Sequence, residues 1–114
     1  NEISIYNQGN FFRDLIFISD VITALNQLML KGESGNLYWV ASGTKTWFYE
    51  IGEWLHELTN VKVNYVDSPC YTSKVDVGNF LVDNSKIKSL GWNLSVSPKN
   101  GIINTIDYFK KNSL

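Results

Sequence analysis

Short alternating segments and helical stripes succeed one another along this chain, and that switching limits the folds open to it more than any other feature. Ile3-Ser4-Ile5-Tyr6 alternates as a half-buried strand does, and Asn7-Gln8-Gly9-Asn10 ends it with turn formers. A second apolar stretch, Leu15-Ile16-Phe17-Ile18, follows the charged pair Arg13-Asp14. Ser19 is placed to cap a helix with Asp20 in its first turn. Its apolar stripe is Val21, Ile22, Leu25, Leu28 and Met29, and Gly32 supplies the stop. Leu37-Tyr38-Trp39-Val40 is expected as a short strand. Thr44 or Thr46 then caps a helix whose apolar face is Trp47, Phe48, Ile51, Leu55 and Leu58. Val61, Val63 and Tyr65 alternate with Lys62 and Asn64 as another strand, and Asp67 to Val75 has no period and is expected as a loop. Phe80-Leu81-Val82 is a short extended piece, and Asp83 caps a helix from Asn84 to Ser89 that Gly91 ends. Ser97-Pro98 starts a last helix, because serine satisfies a free amide and proline fits the first helical position. Ile102, Ile103, Ile106 and Phe109 form its stripe, and Lys110 and Lys111 complement its dipole. The expected fold class is α/β, a small mixed domain of short strands with three to four helices. At 114 residues there is room for one domain, 1–114, around a single core.

Composition narrows the chemistry. Ten Lys plus Arg against eleven Asp plus Glu leave a net charge of -1, which argues against the basic surface that nucleic-acid binding needs. The single cysteine, Cys70, forms no internal disulfide, and with the single histidine, His56, it falls short of a zinc set, so no metal is expected. No apolar run approaches the roughly 20 residues of a membrane-spanning helix, and the polar start is unlike a secretory signal. A cytoplasmic protein with neither nucleic-acid nor membrane partner is expected. The start at Asn1, directly before a strand pattern, suggests a piece of something longer.

The scattered glycines give neither G-x-G-x-x-G nor G-x-x-x-x-G-K-[ST], so no phosphate cradle is written into the chain. Glu50, Glu53 and Glu57 read as a solvated helix face, His56 as a surface histidine, Cys70 as a bystander thiol, and Trp47 and Trp92 as core staples. Two features resist a packing explanation. The loop around Ser73-Lys74-Val75-Asp76 is polar. The only arginine, Arg13, lies between Phe11-Phe12 and Leu15-Ile16, where its charge needs an anionic partner. Its planar fork suits a phosphate or carboxylate ligand; a local ion pair with Asp14 or Asp20 is the other reading.

At these residues the chain resembles the extended short-chain dehydrogenase/reductase family, the NAD-dependent sugar-nucleotide epimerases and dehydratases. Ile5 to Val21 is similar to that family's strand, glycine-containing turn, Arg-Asp, apolar strand and Asp-Val helix start. Gly35-Asn36-Leu37-Tyr38-Trp39-Val40-Ala41-Ser42-Gly43 is similar to its G-x-x-Y-N-V-G-S-G strand, with Trp39 where Asn is usual. Val82 to Trp92, with Asp83, Ser85, Lys86 and Leu90-Gly91-Trp92, resembles its segment that opens D-x-S-K and closes L-G-W, and Gly101 to Phe109 its closing helix.

The resemblance implies the C-terminal substrate-binding lobe of a Rossmann-type enzyme, with the Rossmann domain itself absent. NAD or NADP would belong to the intact protein, with none bound by this chain alone. The implied partners are a nucleotide-diphosphate sugar and the protein's own N-terminal NAD-binding domain, and a homodimer is open to the intact protein. The family's Tyr-x-x-x-Lys is missing, since Tyr71 is followed four positions later by Val75, so no catalytic residue is expected in the chain. Carried over by position, Arg13 would contact the substrate pyrophosphate and Tyr6 would pack near the nucleotide base. Asp76 would be the acid of an R-x-x-D loop that approaches the ribose or pyrophosphate. Ser73 stands where that loop's arginine would be, and the adjacent Lys74 is the nearest replacement charge. Two alternatives stay open: an extended short-chain reductase acting on a non-nucleotide carbonyl compound, and a non-catalytic interaction module that keeps the fold.

Overall fold

The computed structural model describes residues 1–112; Ser113, Leu114 and the side chain of Ser73 lie outside the described residues. In chain order the elements are β1 (Glu2–Tyr6), a 3-10 turn (Asn7–Gly9), β2 (Phe12–Asp14), α1 (Ile18–Lys31), β3 (Lys45–Trp47), α2 (Phe48–Thr59), β4 (Lys62–Val66), α3 (Thr72–Val75), α4 (Ser85–Lys88) and α5 (Pro98–Lys111). This is the mixed α/β class expected, with short strands, three helices of three turns or more, and two single-turn helices. The chain forms two compact units, one of residues 1–13 and 45–81, the other of residues 14–44 and 82–114.

In the first unit β1 and β4 pair in parallel, Glu2 opposite Lys62 through Tyr6 opposite Val66. The alternation seen at Ile3–Tyr6 and Val61–Tyr65 thus becomes one two-stranded ladder. Helix α2 packs close to it because Gly52 has no side chain: a Cβ there would lie 2.7 Å from Ile5 Cδ1 and 3.2 Å from Val63 Cγ1. The helix starts later than its apolar stripe suggests. Thr46 is not a cap but a buried residue of β3, which pairs with β2, and Trp47 ends that strand. Glu50 supplies the cap interaction instead, its Oε2 accepting the Trp47 amide at 2.9 Å. Trp47 meets Phe12 edge to face at 5.0 Å, and Phe11 stacks on Phe48 at 4.1 Å. Asn60 adopts the left-handed conformation, φ 55°, and its amide closes the helix on the His56 carbonyl. The stretch expected as a loop from Asp67 to Val75 contains the single turn α3, closed by the Asp76 amide on the Thr72 carbonyl at 2.8 Å.

In the second unit α1 begins one residue before the expected cap, with Phe17 rather than Ser19 at the N-cap. Asp20 stands in the first turn of α1, as expected. It is fully buried and accepts the Val96 amide at 2.9 Å, the Ser95 amide at 3.1 Å and the Ser95 hydroxyl. Ala24, Ile87 and Trp92 form the core, with Ile16, Leu28, Tyr38, Val40 and Leu94 packed against it. Trp92 is the staple expected, and its Nε1 donates to Thr23 Oγ1 at 3.1 Å. Ser97 accepts the Asn100 amide and Pro98 opens α5, as the Ser-Pro pair predicts. Leu15 to Phe17, Leu37 to Val40 and Phe80 to Val82 form no strand among the described residues; each has the apolar residues of a strand but no ladder partner to complete it.

Candidate functional site

The expected site residues lie in the first unit, where β1, the turn after it, β2 and the loop beyond β4 converge. β1 ends at Tyr6, which is 45% exposed. The chain then turns through Asn7 and Gln8, both at positive φ (50° and 54°), and Gly9 at 74°. Only glycine fits the last position, since a Cβ there would lie 2.5 Å from the Tyr49 amide nitrogen. This tight turn sets the start of β2 and so places Arg13.

Arg13 is one-fifth exposed, and its partner is Asp76, with Nη2 to Oδ1 at 2.6 Å. Neither Asp14 nor Asp20, the local acids expected as candidates, pairs with it. Asp14, which belongs to the second unit, spends its carboxylate on the Ser42 amide (2.8 Å), the Ser42 hydroxyl (2.7 Å) and the Gly43 amide (2.9 Å). Arg13 Nη1 also donates to the carbonyls of Phe12 and Gly78, and its guanidinium carbon sits 5.4 Å from the Phe11 ring centre. Among the described residues three of the five guanidinium donors are thus directed, and Nε–H and one Nη2–H have no partner. Because the Asp76 side chain is 44% exposed, the pair contributes no more than about 1 kcal/mol.

Asp76 also borders a cleft of about 310 Å³ lined by Asn7, Ser68, Pro69, Cys70 and Thr72. The structure therefore joins Arg13 and Asp76 directly. It places Tyr6 one residue from the cleft-lining Asn7, and Lys74 exposed on α3, two residues before Asp76. The side chain of Ser73 lies outside the described residues. Asn79 was not anticipated: its Oδ1 accepts the Phe12 amide at 3.1 Å and ties the loop to β2. Gly78-Asn79, a turn-forming pair, was the sequence signal available for it. His56 is exposed with Nδ1 2.9 Å from the Val61 carbonyl oxygen, a helix-end contact away from Arg13's partners.

The close-packed glycines Gly9, Gly52 and Gly101 face Tyr49, Ile5 with Tyr65, and Phe17 respectively, so their missing side chains serve packing between protein elements. Among the described residues no cluster of His, Cys, Asp or Glu is placed to hold a metal, and no helix is long and apolar enough to cross a membrane.

No protein-family model matches the chain. It is 22% identical over 114 residues to a trifunctional UDP-glucose 4,6-dehydratase/UDP-4-keto-6-deoxy-D-glucose 3,5-epimerase/UDP-4-keto-L-rhamnose-reductase of Arabidopsis thaliana, covering 96% of this chain and 16% of that one. Its fold matches the UDP-glucose 4-epimerase of Thermotoga maritima, solved with UDP-glucose. The TM-score is 0.85 and the identity 30%, over 98% of this chain and 36% of that one. It also matches the fold of the Streptomyces venezuelae dTDP-glucose 4,6-dehydratase DesIV, solved with NAD, at a TM-score of 0.81 and 20% identity, covering 98% of this chain and 35% of that one. The chain spans little more than a third of these proteins at most. In sequence and in fold alike, it is similar to part of the NAD-dependent sugar-nucleotide epimerases and dehydratases of the extended short-chain dehydrogenase/reductase family.

Proposed function

We propose that this chain is the nucleotide-sugar-binding, C-terminal part of such an epimerase or dehydratase. The cofactor and the catalytic groups would reside on an N-terminal domain outside it. The observation that carries this reading is Arg13. A planar cation, mostly shielded from water and held by two backbone carbonyls, pairs with Asp76 at the border of a cleft and keeps Nε–H and one Nη2–H without a partner among the described residues. A diphosphate offers acceptor oxygens at the spacing of that fork, which a neutral carbonyl substrate does not. Tyr6 would stack near the base, and Lys74 would add a second, mobile positive charge beside the cleft.

Helix α1 supports the missing-domain part of the proposal. Ile18, Ile22, Leu25 and Met29 recur along one face and are each more than half exposed, although an isolated helix of this kind normally buries its stripe. A neighbouring domain of the same polypeptide would cover that stripe. With the whole polypeptide in hand, Arg13→Ala is expected to weaken nucleotide-sugar binding about tenfold, the loss of about 1.5 kcal/mol typical of a charged hydrogen bond. Titration calorimetry with UDP- and dTDP-sugars checks this, and unchanged affinity would show that Arg13 serves the fold alone.

A further inference from the structure

Arg13 is already occupied by a carboxylate, and this matters for how it meets an anion. Three hydrogen bonds bind the segment Asp76–Asn79 to β2: Arg13 Nη2 to Asp76 Oδ1, Arg13 Nη1 to the Gly78 carbonyl, and the Phe12 amide to Asn79 Oδ1. Asp76 Oδ1 also accepts the Gly78 amide at 3.1 Å, which folds the segment into a tight strap. Gly78, at φ 69°, has open space where a Cβ would stand, and Asp76 to Asn79 are all exposed. The strap is tied down by these polar contacts, one of which is the ion pair that a diphosphate would compete for.

We propose that Asp76 is an internal competitor for Arg13: a diphosphate entering the site displaces the carboxylate and releases the strap Asp76–Asn79 from β2. This rests on the reading of Arg13 as the diphosphate ligand. With Asp76 in place, the incoming anion would sit beside a like charge that shares the same guanidinium group, an arrangement penalised on both sides. Once the carboxylate swings away, that penalty is relieved and the fork is open to two phosphate oxygens. The strap therefore has two positions, and the occupancy of Arg13 selects between them.

Inorganic pyrophosphate is the suitable probe, since it has no ribose or sugar for Asp76 to contact. In the whole polypeptide, Asp76→Asn is expected to bind pyrophosphate at least fivefold more tightly than the wild type, and Arg13→Ala to bind it at least tenfold more weakly. Amide hydrogen exchange gives a second measure that needs no variant. In the wild type, pyrophosphate should speed exchange at Gly78 and at Phe12, whose amide loses Asn79. Equal or weaker binding by Asp76→Asn, or exchange at Gly78 and Phe12 slowed by pyrophosphate, overturns the competitor role while leaving Arg13 as a ligand. Pyrophosphate affinity unaffected by Arg13→Ala overturns the proposed site and this inference with it.

Discussion

Asp20 is buried with no cation paired to it among the described residues, and three donors from Ser95 and Val96 hold its carboxylate. Burial pushes its carboxyl upward, but the Ser95 hydroxyl and the Val96 and Ser95 amides outweigh that effect and hold it below the ordinary aspartate value. A lowered carboxyl stabilises the fold at pH above the unfolded value, and that contribution disappears as pH falls through the folded one. Urea unfolding midpoints should therefore drop as pH is taken below about 4. Asp20→Asn should cost about 2–3 kcal/mol at neutral pH and flatten the drop; a variant with the wild-type pH profile would assign the acid sensitivity elsewhere. That Asp20 is structural was readable from its place near a helix start. Its partners were not, because Ser95 and Val96 lie 75 and 76 positions further on. Arg13 shows the same limit. Its need for an anion follows from its apolar neighbours, yet the acid it found is 63 residues away rather than next door. Local sequence states what a side chain lacks, and only the folded backbone supplies it.

Among the elements, α2 shows most directly how one missing side chain sets a packing distance. Gly52→Ala would bring its new Cβ to 2.7 Å from Ile5 Cδ1 and 2.8 Å from the Tyr65 hydroxyl. Because Ile5 is buried in the β1–β4 ladder, its side-chain end has little room to yield, so a loss of about 1–3 kcal/mol is expected in urea unfolding. A loss under about 0.5 kcal/mol would mean that the side chains yield easily. The long helices were legible because an apolar stripe over three or four turns is redundant: α1 and α5 survive errors of a residue or two at their ends. β2 and β3 are three residues each, too short for alternation to register, and Trp47 sits where strand and helix patterns overlap. Leu37–Val40 has the composition of a strand, and composition alone carries no partner. The candidate site inherits this unevenness. Its β1 and β2 residues were indicated by turn and charge signals, whereas the bond from the Phe12 amide to Asn79 depends on a loop without any period.

For the whole molecule, the exposed apolar stripe of α1 is where the proposed neighbouring domain can be tested. Ile22→Lys with Leu25→Lys changes residues that are more than half exposed. The 114-residue chain alone should unfold within about 0.5 kcal/mol of the wild type. If α1 is the face covered by a neighbouring domain, the same pair in the whole polypeptide should lower the urea midpoint clearly; equal effects in both contexts would place the stripe against solvent for good. Leu37–Val40 carries a related consequence for handling the isolated chain. Leu37 and Trp39 are largely exposed, and the segment has no ladder neighbour among the described residues. Exposed apolar side chains on an unpaired segment can meet the same segment of another molecule, so the 114-residue chain is expected to associate with itself there as its concentration rises.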